Sequence, residues 1–125
     1  MAGSAAPWPY AHESPRARYT GSPGTGSRVA AAGAASARRL ETALAQAGYE
    51  RVHTAPYLNE FAVRVPDAAA VHARLLDLGV LAGLHLGAWY PDDPDLADAL
   101  LLCATELTTD ADVARLIAGL QEAAA

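Results

Sequence analysis

The sequence predicts a small α+β domain in which helices cover one face of a mostly antiparallel sheet. Helical and strand-like periodicities interleave along residues 28–125 in the order α-β-β-α-β-β-α. Long connections are too few for a doubly wound parallel sheet. The whole chain has 125 residues, which is enough for one domain with one modest core. An apolar content of 52% is raised by alanine, so leucine and valine are expected to build that core.

The composition changes near residue 27. Residues 1–27 are rich in proline, glycine and serine and show neither a helical nor an alternating period. Such a segment has too little apolar surface to offset the entropy of ordering, so we predict a disordered tail at 1–27 and a folded domain at 28–125.

The first predicted helix covers residues 28–47 and ends at Gly48. The next segment, 49–54, has the composition of a short strand and is followed by a turn at Ala55 and Pro56. The apolar stripe of the helix is Val29, Ala32, Ser36, Leu40, Leu44 and Ala47.

A second strand is predicted from Phe61, Val63 and Val65, which alternate with other residues up to Pro66. Strict alternation is typical of a strand that is buried on one face only. Asp67 then occupies an N-cap position. The helix that it would begin carries Ala68, Val71, Leu75 and Leu78 at helical spacing and stops at Gly79.

Residues 79–90 contain three glycines and are expected to form short extended pieces around turns, followed by an acidic loop at 91–98. The apolar run at 99–106 has strand length and predicts a central strand buried on both faces. Thr109 and Asp112 resemble a capping box, with Asp in place of the usual Glu. The last predicted helix then presents Val113, Leu116, Ile117 and Leu120 on one face.

The net charge of −5 and nine dispersed arginines argue against nucleic acid as a partner. The sequence also lacks the long apolar stretch of a membrane span and the apolar core of a secretory signal, so no membrane association is expected. The single cysteine, Cys103, lies in an apolar run and is interpreted as a buried reduced thiol, which fits the cytoplasm.

A search for chemistry finds no phosphate-binding glycine loop, no zinc motif and no catalytic set. The chain contains no lysine, and arginine cannot replace a lysine amine in an imine with pyridoxal phosphate (PLP) because it stays protonated. We therefore predict no catalytic residue, no metal site and no cofactor bound by this chain alone.

Six residues remain as candidates for an interface or a cleft. Asn59 and Glu60 interrupt an apolar approach to a strand, although an Asn side chain that bonds the backbone of a turn fits equally well. His85 lies in the glycine-rich segment, and Glu106 ends the central strand, where a solvated carboxylate is the simpler alternative. Trp89 and Tyr90 indicate either an aromatic surface for a partner subunit or a cover for the edge of the core.

Three segments in order, PYLNEFAVRVP (56–66), LGVLAGLHLGAWYP (78–91) and ALLLCATELTTDADVARLIAGL (99–120), resemble the C-terminal end of subunit 1 of the two-subunit bacterial glycine-decarboxylase P-protein. The segment ARRLETALAQAGYERV, which precedes them, extends the resemblance towards Arg28, over about four fifths of the chain.

The resemblance implies the C-terminal small domain of a fold-type-I PLP enzyme, which packs across the active-site cleft of a larger domain. In this family glycine forms an aldimine with PLP, loses carbon dioxide and passes its aminomethyl group to the lipoyl arm of H-protein. The Schiff-base lysine belongs to subunit 2, so PLP is expected on that partner. The implied partners are therefore P-protein subunit 2 and H-protein.

The sequence departs from the family in two ways. Ala88 stands where the family usually has arginine, so a guanidinium contact to a carboxylate or a neighbouring chain is lost. The large domain expected before Arg28 is replaced by the tail, which a truncated gene, a mispredicted start or a decayed remnant would each explain. Two hypotheses follow: an enzyme fragment that is inactive alone, or a freestanding interaction or regulatory module.

Overall fold

The computed structural model describes residues 25–125. Of the predicted tail, residues 1–24 lie outside the described residues, whereas 25–27 form the first turn of a helix, three residues before the expected start. In chain order the elements are α1 (Thr25–Gln46), β1 (Glu60–Arg64), α2 (Ala68–Asp77), β2 (Leu84–His85), α3 (Leu86–Trp89), a 3₁₀ turn (Pro94–Leu96), β3 (Ala99–Cys103) and α4 (Asp110–Ala124).

The three strands form one antiparallel sheet in the order β1-β3-β2. β1 pairs with β3 over its whole length, from Glu60 opposite Cys103 to Arg64 opposite Ala99. β2 covers only two residues of the other edge of β3, Leu100 and Leu101. The prediction that the apolar run after residue 98 is the central strand is therefore confirmed, as is the α+β class.

The predicted strand at 49–54 is wrong in extent. It contributes a single antiparallel bridge between Arg51 and Val63. Two backbone hydrogen bonds flank this bridge, from Arg64 N to Glu50 O at 2.8 Å and from Val52 N to Ala62 O at 2.9 Å. The segment runs beside β1 for three residues and does not form a full edge strand.

The main core lies between the sheet and the three long helices. It contains the alternate residues of the two long strands, including Phe61, Val63, Leu100 and Leu102. The remaining buried members come from the helices and connections: Ala37, Leu40 and Leu44 of α1, Ala68, Val71 and Leu75 of α2, Leu120 and Ala123 of α4, with Val65, Ala82 and Ala104. Burial of these side chains is the main force holding the helices on one face of the sheet.

The opposite face of the sheet is also covered in part. Ala62 and Ala99 pack there with Leu86 of α3 in a second, smaller cluster. Ala62 is only 9% exposed, so β1 is buried on both faces where alternation predicted burial on one. The helical turn of α3 also replaces the extended piece expected at this place, because Leu86 reaches back over the sheet.

The apolar stripe predicted for the first helix is correct only in its C-terminal part. Ser36, Leu40 and Leu44 are buried, whereas Val29 is 43% exposed and Ala32 is exposed. The N-terminal part of α1 therefore extends beyond the main core. The predicted stop is confirmed, because Tyr49 N donates to Leu44 O at 2.9 Å around Gly48, the hydrogen bond of a Schellman motif.

Asp67 does not cap α2, contrary to the sequence expectation. Its backbone is left-handed, at φ 55° and ψ 45°, and its side chain makes no capping hydrogen bond. Instead the Oδ1 of Asp98, thirty residues later in the chain, accepts from Ala68 N at 3.3 Å. A carboxylate at a helix N-terminus satisfies a free N–H whichever part of the chain supplies it.

The capping box of α4 is confirmed. Asp112 N donates to Thr109 Oγ1 at 3.1 Å, and Thr109 N donates to Asp112 Oδ2 at 2.9 Å. The hydrogen bond from the Thr109 backbone, together with that from its side chain, lowers the pKa of Asp112 below its ordinary value of 3.8. The shorter Asp side chain therefore replaces Glu in this motif without losing either bond.

Candidate functional site

The structure places the six candidate residues near two ends of the sheet, but Glu60 and Tyr90 line one depression of about 450 Å³ together with Ala62 and Leu86. Glu60 pairs with Cys103 at the end where β1 begins, and Asn59 and Glu106 lie at the same end. His85, Trp89 and Tyr90 lie near the other end, where β3 begins. No single cleft brings all six together.

At the first end, Asn59 binds β3 through both its backbone and its side chain. Its carbonyl accepts from Ala104 N at 3.0 Å, and its Nδ2 donates to Cys103 Sγ at 3.7 Å. The alternative of an Asn side chain bonded to the backbone of a turn is therefore not what the structure has. Cys103 is exposed, which corrects the expectation of a buried thiol: side chains alternate along β3, and this one lies beyond the covered part of the sheet.

Glu106 lies exposed in the turn that joins β3 to α4. The hydroxyl of Thr105 accepts from Leu107 N at 3.2 Å and that of Thr108 accepts from Thr105 N at 2.9 Å, so threonines close this turn. Gly33 of α1 packs against the same turn, 3.8 Å from Glu106 N for an ideal Cβ position. The Glu106 side chain is a solvated carboxylate, the simpler of the two interpretations.

A groove of about 840 Å³ opens beside Glu60 and Cys103, between residues 80–84 and α4. Its walls are mostly apolar, and its polar rim includes Asp112 and Arg115. Arg115 Nη2 donates to Leu78 O at 3.1 Å, so its guanidinium is fixed against the end of α2. The main apolar side chains of the groove are Leu40, Val80, Leu81, Leu102, Val113 and Leu116. The groove offers an apolar surface but no acid–base pair.

At the second end, His85 has a structural contact. Its Nε2 lies 2.8 Å from Ala97 O and so connects β2 to the loop that follows the 3₁₀ turn. A Cβ on Gly87 would approach both His85 Nε2, at 2.8 Å, and Ala97 O, at 2.9 Å. The imidazole is therefore used to hold two segments together.

Trp89 and Tyr90 are exposed, by 67% and 57% respectively. They belong to neither core cluster, although Tyr90 lines a depression with Ala62 and Leu86 of the second cluster. Both rings line a depression of about 460 Å³ with Pro91, Asp92, Asp93 and Pro94. Ala88, where the resemblance implies arginine, is exposed beside them.

Sequence reasoning missed a cluster that connects α1 to the segment before β1. Arg51 Nε lies 2.8 Å from Glu41 Oε1, and the Arg51 guanidinium carbon lies 4.9 Å from the centre of the Tyr57 ring. The Tyr57 hydroxyl donates to the other Glu41 oxygen, and its ring lies 5.1 Å from that of Phe61. No motif marks these residues, because sixteen positions separate Glu41 from Tyr57.

Burial, followed by the hydrogen bond to Glu41, raises the pKa of Tyr57 to about 12. A phenol with a raised pKa stays protonated at neutral pH and is a poor general base. The cluster of Glu41, Arg51 and Tyr57 therefore holds the fold together and is not an acid–base centre.

The chain itself does not fit PLP as a covalent cofactor, because no lysine amine is present to form the imine. Within residues 25–125, no group of three His, Cys, Asp or Glu side chains is placed to hold a metal ion. No helix in the part of the chain that the structure describes is long and apolar enough to cross a membrane.

Comparison with known proteins finds relatives named probable glycine dehydrogenase (decarboxylating) subunit 1. The chain is 42% identical over 88 residues to a probable glycine dehydrogenase (decarboxylating) subunit 1 of Novosphingobium aromaticivorans, covering 70% of this chain and 20% of the relative. Proteins of the same name from Methylococcus capsulatus and Thermomicrobium roseum are 45% identical over 96 residues (75% of this chain, 20% of the relative) and 49% identical over 71 residues (56% and 15%).

No family model matches the chain. No solved structure matches it either. The chain spans about one fifth of the length of the curated relatives that it matches. Over most of its own length, this chain is a sequence relative of glycine dehydrogenase (decarboxylating) subunit 1, and the resemblance expected from its three segments is confirmed.

Proposed function

We propose that this domain works as a non-catalytic part of a glycine cleavage P-protein assembly. In that assembly glycine is decarboxylated and its aminomethyl group is passed to the lipoyl arm of H-protein. The observation that carries the proposal is the identity of 42% over 88 residues to a glycine dehydrogenase (decarboxylating) subunit 1. The domain corresponds to the C-terminal small domain of that subunit, and its contribution depends on other chains.

The absence of lysine supports this division of labour. A chain that cannot form an imine needs a partner that holds PLP, and P-protein subunit 2 is the partner that we propose. The remaining task for this domain is to bind that partner and complete the walls of its cleft. We place this assembly in the cytoplasm, where the single thiol of Cys103 would stay reduced.

The exposed rings of Trp89 and Tyr90 support a contact with a partner chain, because tryptophan and tyrosine often carry the binding energy of an interface. Asn59 and Glu106 lie at the other end of the sheet and would meet a different part of the partner, whereas Glu60 lines a depression together with Tyr90. His85 supports the contact indirectly, through its bond to Ala97 O.

The test is reconstitution with purified P-protein subunit 2 and H-protein, followed by exchange of the glycine carboxyl group with labelled bicarbonate. We expect exchange only when this chain is present together with both other proteins, and none with this chain alone. Variants of Ala88 give a second readout, since Ala88→Arg restores the guanidinium of the family pattern and is expected to increase exchange.

A freestanding interaction module is the second candidate, and the closed main core of the domain favours it. Three helices and two long strands bury a continuous apolar cluster without help from another chain. This candidate predicts a stable monomer that neither co-purifies with subunit 2 nor changes the exchange of bicarbonate. Co-purification with an increase in exchange would rule it out.

A further inference from the structure

Two aromatic rings and three carboxylates share the turn that follows α3. We call Trp89, Tyr90, Asp92, Asp93 and Asp95 the aromatic–acidic surface. All five residues are exposed, and four of them line the depression of about 460 Å³ beside α3. A volume of this order accepts a small molecule or one or two long side chains, and not a folded element.

The backbone holds this surface in a defined shape. Tyr90 N donates to Leu86 O at 2.9 Å, and Asp93 N donates to Tyr90 O at 3.1 Å. The Asp93 carboxylate in turn accepts from Asp95 N at 3.0 Å. Pro91 and Pro94 restrict the backbone further. A partner would therefore lose little conformational entropy in ordering the surface when it binds.

Within residues 25–125, no ion pair neutralises the negative charge of this surface. Residues 86–114 contain no arginine, lysine or histidine. Within residues 25–125 the arginines that form ion pairs are Arg39, with Asp110, and Arg51, with Glu41. Arg51 lines a depression together with Tyr90, but its guanidinium is held by Glu41 and lies over the Tyr57 ring. Three aspartates beside two exposed rings therefore face solvent without an ion pair to a cation of the described part of the domain.

We infer that the aromatic–acidic surface binds an arginine-bearing segment of a partner protein. A guanidinium can stack on the face of Trp89 while it donates hydrogen bonds to a neighbouring carboxylate. Lysine offers a compact charge and no planar group, so it matches this combination less well. This inference rests on the proposed use of Trp89 and Tyr90 as a contact surface, but it does not depend on which protein makes the contact.

The same charges argue against other occupants. The phosphates of nucleic acid and of anionic lipid headgroups would meet three aspartates and be repelled. A purely apolar partner would leave these carboxylates at the rim without a counter-charge, which lowers specificity. Charge complementarity thus selects a basic segment over both.

The experiment uses the full ¹⁵N-labelled chain and a short synthetic peptide with arginines at alternate positions between glycines. The backbone amide signals of Tyr90, Asp93 and Asp95 report binding in every variant, including those that lack Trp89. Matched peptides carry lysine, or the neutral arginine analogue citrulline, at the same positions. We expect the arginine peptide to bind about threefold more tightly than the lysine peptide and about tenfold more tightly than the citrulline peptide.

Variants then distinguish binding at the aromatic–acidic surface from attraction by the net negative charge of the whole domain. We expect Trp89→Ala, and independently Asp92→Asn with Asp93→Asn, to weaken the arginine peptide by about three- to tenfold. Trp89→Phe keeps a ring and is expected to lose less. The matched controls are Leu81→Ala, an exposed apolar residue elsewhere, and Asp77→Asn with Glu122→Gln, which removes two exposed negative charges elsewhere; both are expected to change the affinity less than twofold.

The inference would be overturned if the citrulline peptide bound as tightly as the arginine peptide. It would also be overturned if Asp77→Asn with Glu122→Gln weakened binding as much as Asp92→Asn with Asp93→Asn, or if no peptide shifted the amide signals. These outcomes are independent of the bicarbonate exchange assay. If the chain supports exchange but does not bind the arginine peptide, only this inference is wrong. If it binds the peptide but never supports exchange, only the proposed function is wrong.

Discussion

At the scale of single residues, a substitution of Trp89 is expected to affect association with a partner more than the stability of the domain. Its side chain is 67% exposed and belongs to neither core cluster, so its removal takes little from the folded domain. We expect Trp89→Ala to weaken association with P-protein subunit 2 by about 2 kcal/mol and to lower the free energy of unfolding by less than about 0.5 kcal/mol. Calorimetric titration against the partner and thermal unfolding of the domain measure the two effects.

Leu81→Ala is the control for this prediction, because Leu81 is 88% exposed and does not line the depression beside Trp89. Association should survive that change. A large fall in the melting temperature of Trp89→Ala with unchanged association would contradict the assignment of Trp89 to an interface.

Among the described glycines, Gly83 leaves the least room for a side chain. It has a φ of +64°, and a Cβ there would lie 1.9 Å from Leu101 O of the central strand. Gly83→Ala must therefore move β2 away from β3, and we expect it to cost at least about 3 kcal/mol of unfolding free energy in a urea titration.

Gly48→Ala gives the matched comparison. Gly48 also has a positive φ, of +96°, but nothing lies within 4 Å of its Cβ position. Only the backbone penalty remains, so the expected cost is about 1 kcal/mol. If the two alanine variants unfolded at the same urea concentration, close approach to Leu101 would not be what requires glycine at position 83.

Tyr57 makes the domain sensitive to alkaline pH. Its pKa rises from 10.0 to about 12 on folding, so the unfolded chain releases the phenolic proton first. The contribution of Tyr57 to stability is therefore complete below pH 10 and is lost as the pH rises through about 12. We expect Tyr57→Phe to flatten the dependence of the urea midpoint on pH in this range; an unchanged slope would contradict it.

At the scale of elements, the N-terminus of α4 gives the domain an acid-sensitive contact. The pKa of Asp112 is lowered by its hydrogen bonds with Thr109, so this carboxylate stabilises the fold above its ordinary pKa of 3.8. As the pH falls below that value the unfolded chain takes up the proton first, and the contribution is lost as the pH passes the lower, folded-state pKa.

We expect Thr109→Ala to cost about 1 kcal/mol at neutral pH, because it removes the side-chain acceptor of Asp112 N. Asp112→Asn should remove part of the acid dependence of unfolding below pH 4. Asp110→Asn, in the same turn but outside the capping box, is the control and should leave more of that dependence. Equal slopes for the two asparagine variants would show that the helix terminus in general, and not the capping box, causes the effect.

At the scale of elements, local sequence patterns were sufficient to predict most of the helices and strands. β1, β3, α2 and α4 were predicted within a few residues, because their apolar spacing and their Gly and Thr boundaries are local properties. The segment at 49–54 has a strand composition but forms only one bridge with β1, and the side chains of Arg51 and Tyr57 contact Glu41 of α1. Those contacts join distant parts of the chain, and no local pattern records them.

At the scale of the whole molecule, the two faces of the sheet differ in how much they contribute. The main core collects side chains from three long helices, whereas the second cluster has only three buried members. We expect Leu100→Ala, at a fully buried position, to cost about 3–5 kcal/mol, and Leu86→Ala, which is 9% exposed, about 2 kcal/mol. The larger loss arises because the centre of the sheet cannot move to fill the cavity.

Urea unfolding of Leu100→Ala and Leu86→Ala measures the difference in their free energies of unfolding. The bicarbonate exchange that each variant supports in the reconstituted assay is a second measurement. Leu86→Ala is also expected to disturb the position of Trp89, since both belong to the single turn of α3. A Leu86→Ala variant less stable than Leu100→Ala would contradict the assignment of the main core to the face under the long helices.

The candidate site was less predictable than the fold. The exposure of Trp89 and Tyr90 agrees with one of two alternatives that the sequence left open, and the contact of His85 with Ala97 could not be read from either residue. The groove beside Cys103 was missed altogether, since its walls come from α1, α4, β3 and residues 80–84. A cavity is a property of elements that are distant in sequence.

The amino-acid sequence by itself determined the α+β class, the position of the long helices, the central place of the β3 segment and the absence of an imine-forming amine. These follow from periodicity and from residue identity, both of which are local. Only the tertiary structure decided that Asp98 and not Asp67 caps α2, that Cys103 is exposed, and that Glu60 and Tyr90 line one depression. Those outcomes depend on which segments meet in space, and that is settled by packing of the whole domain.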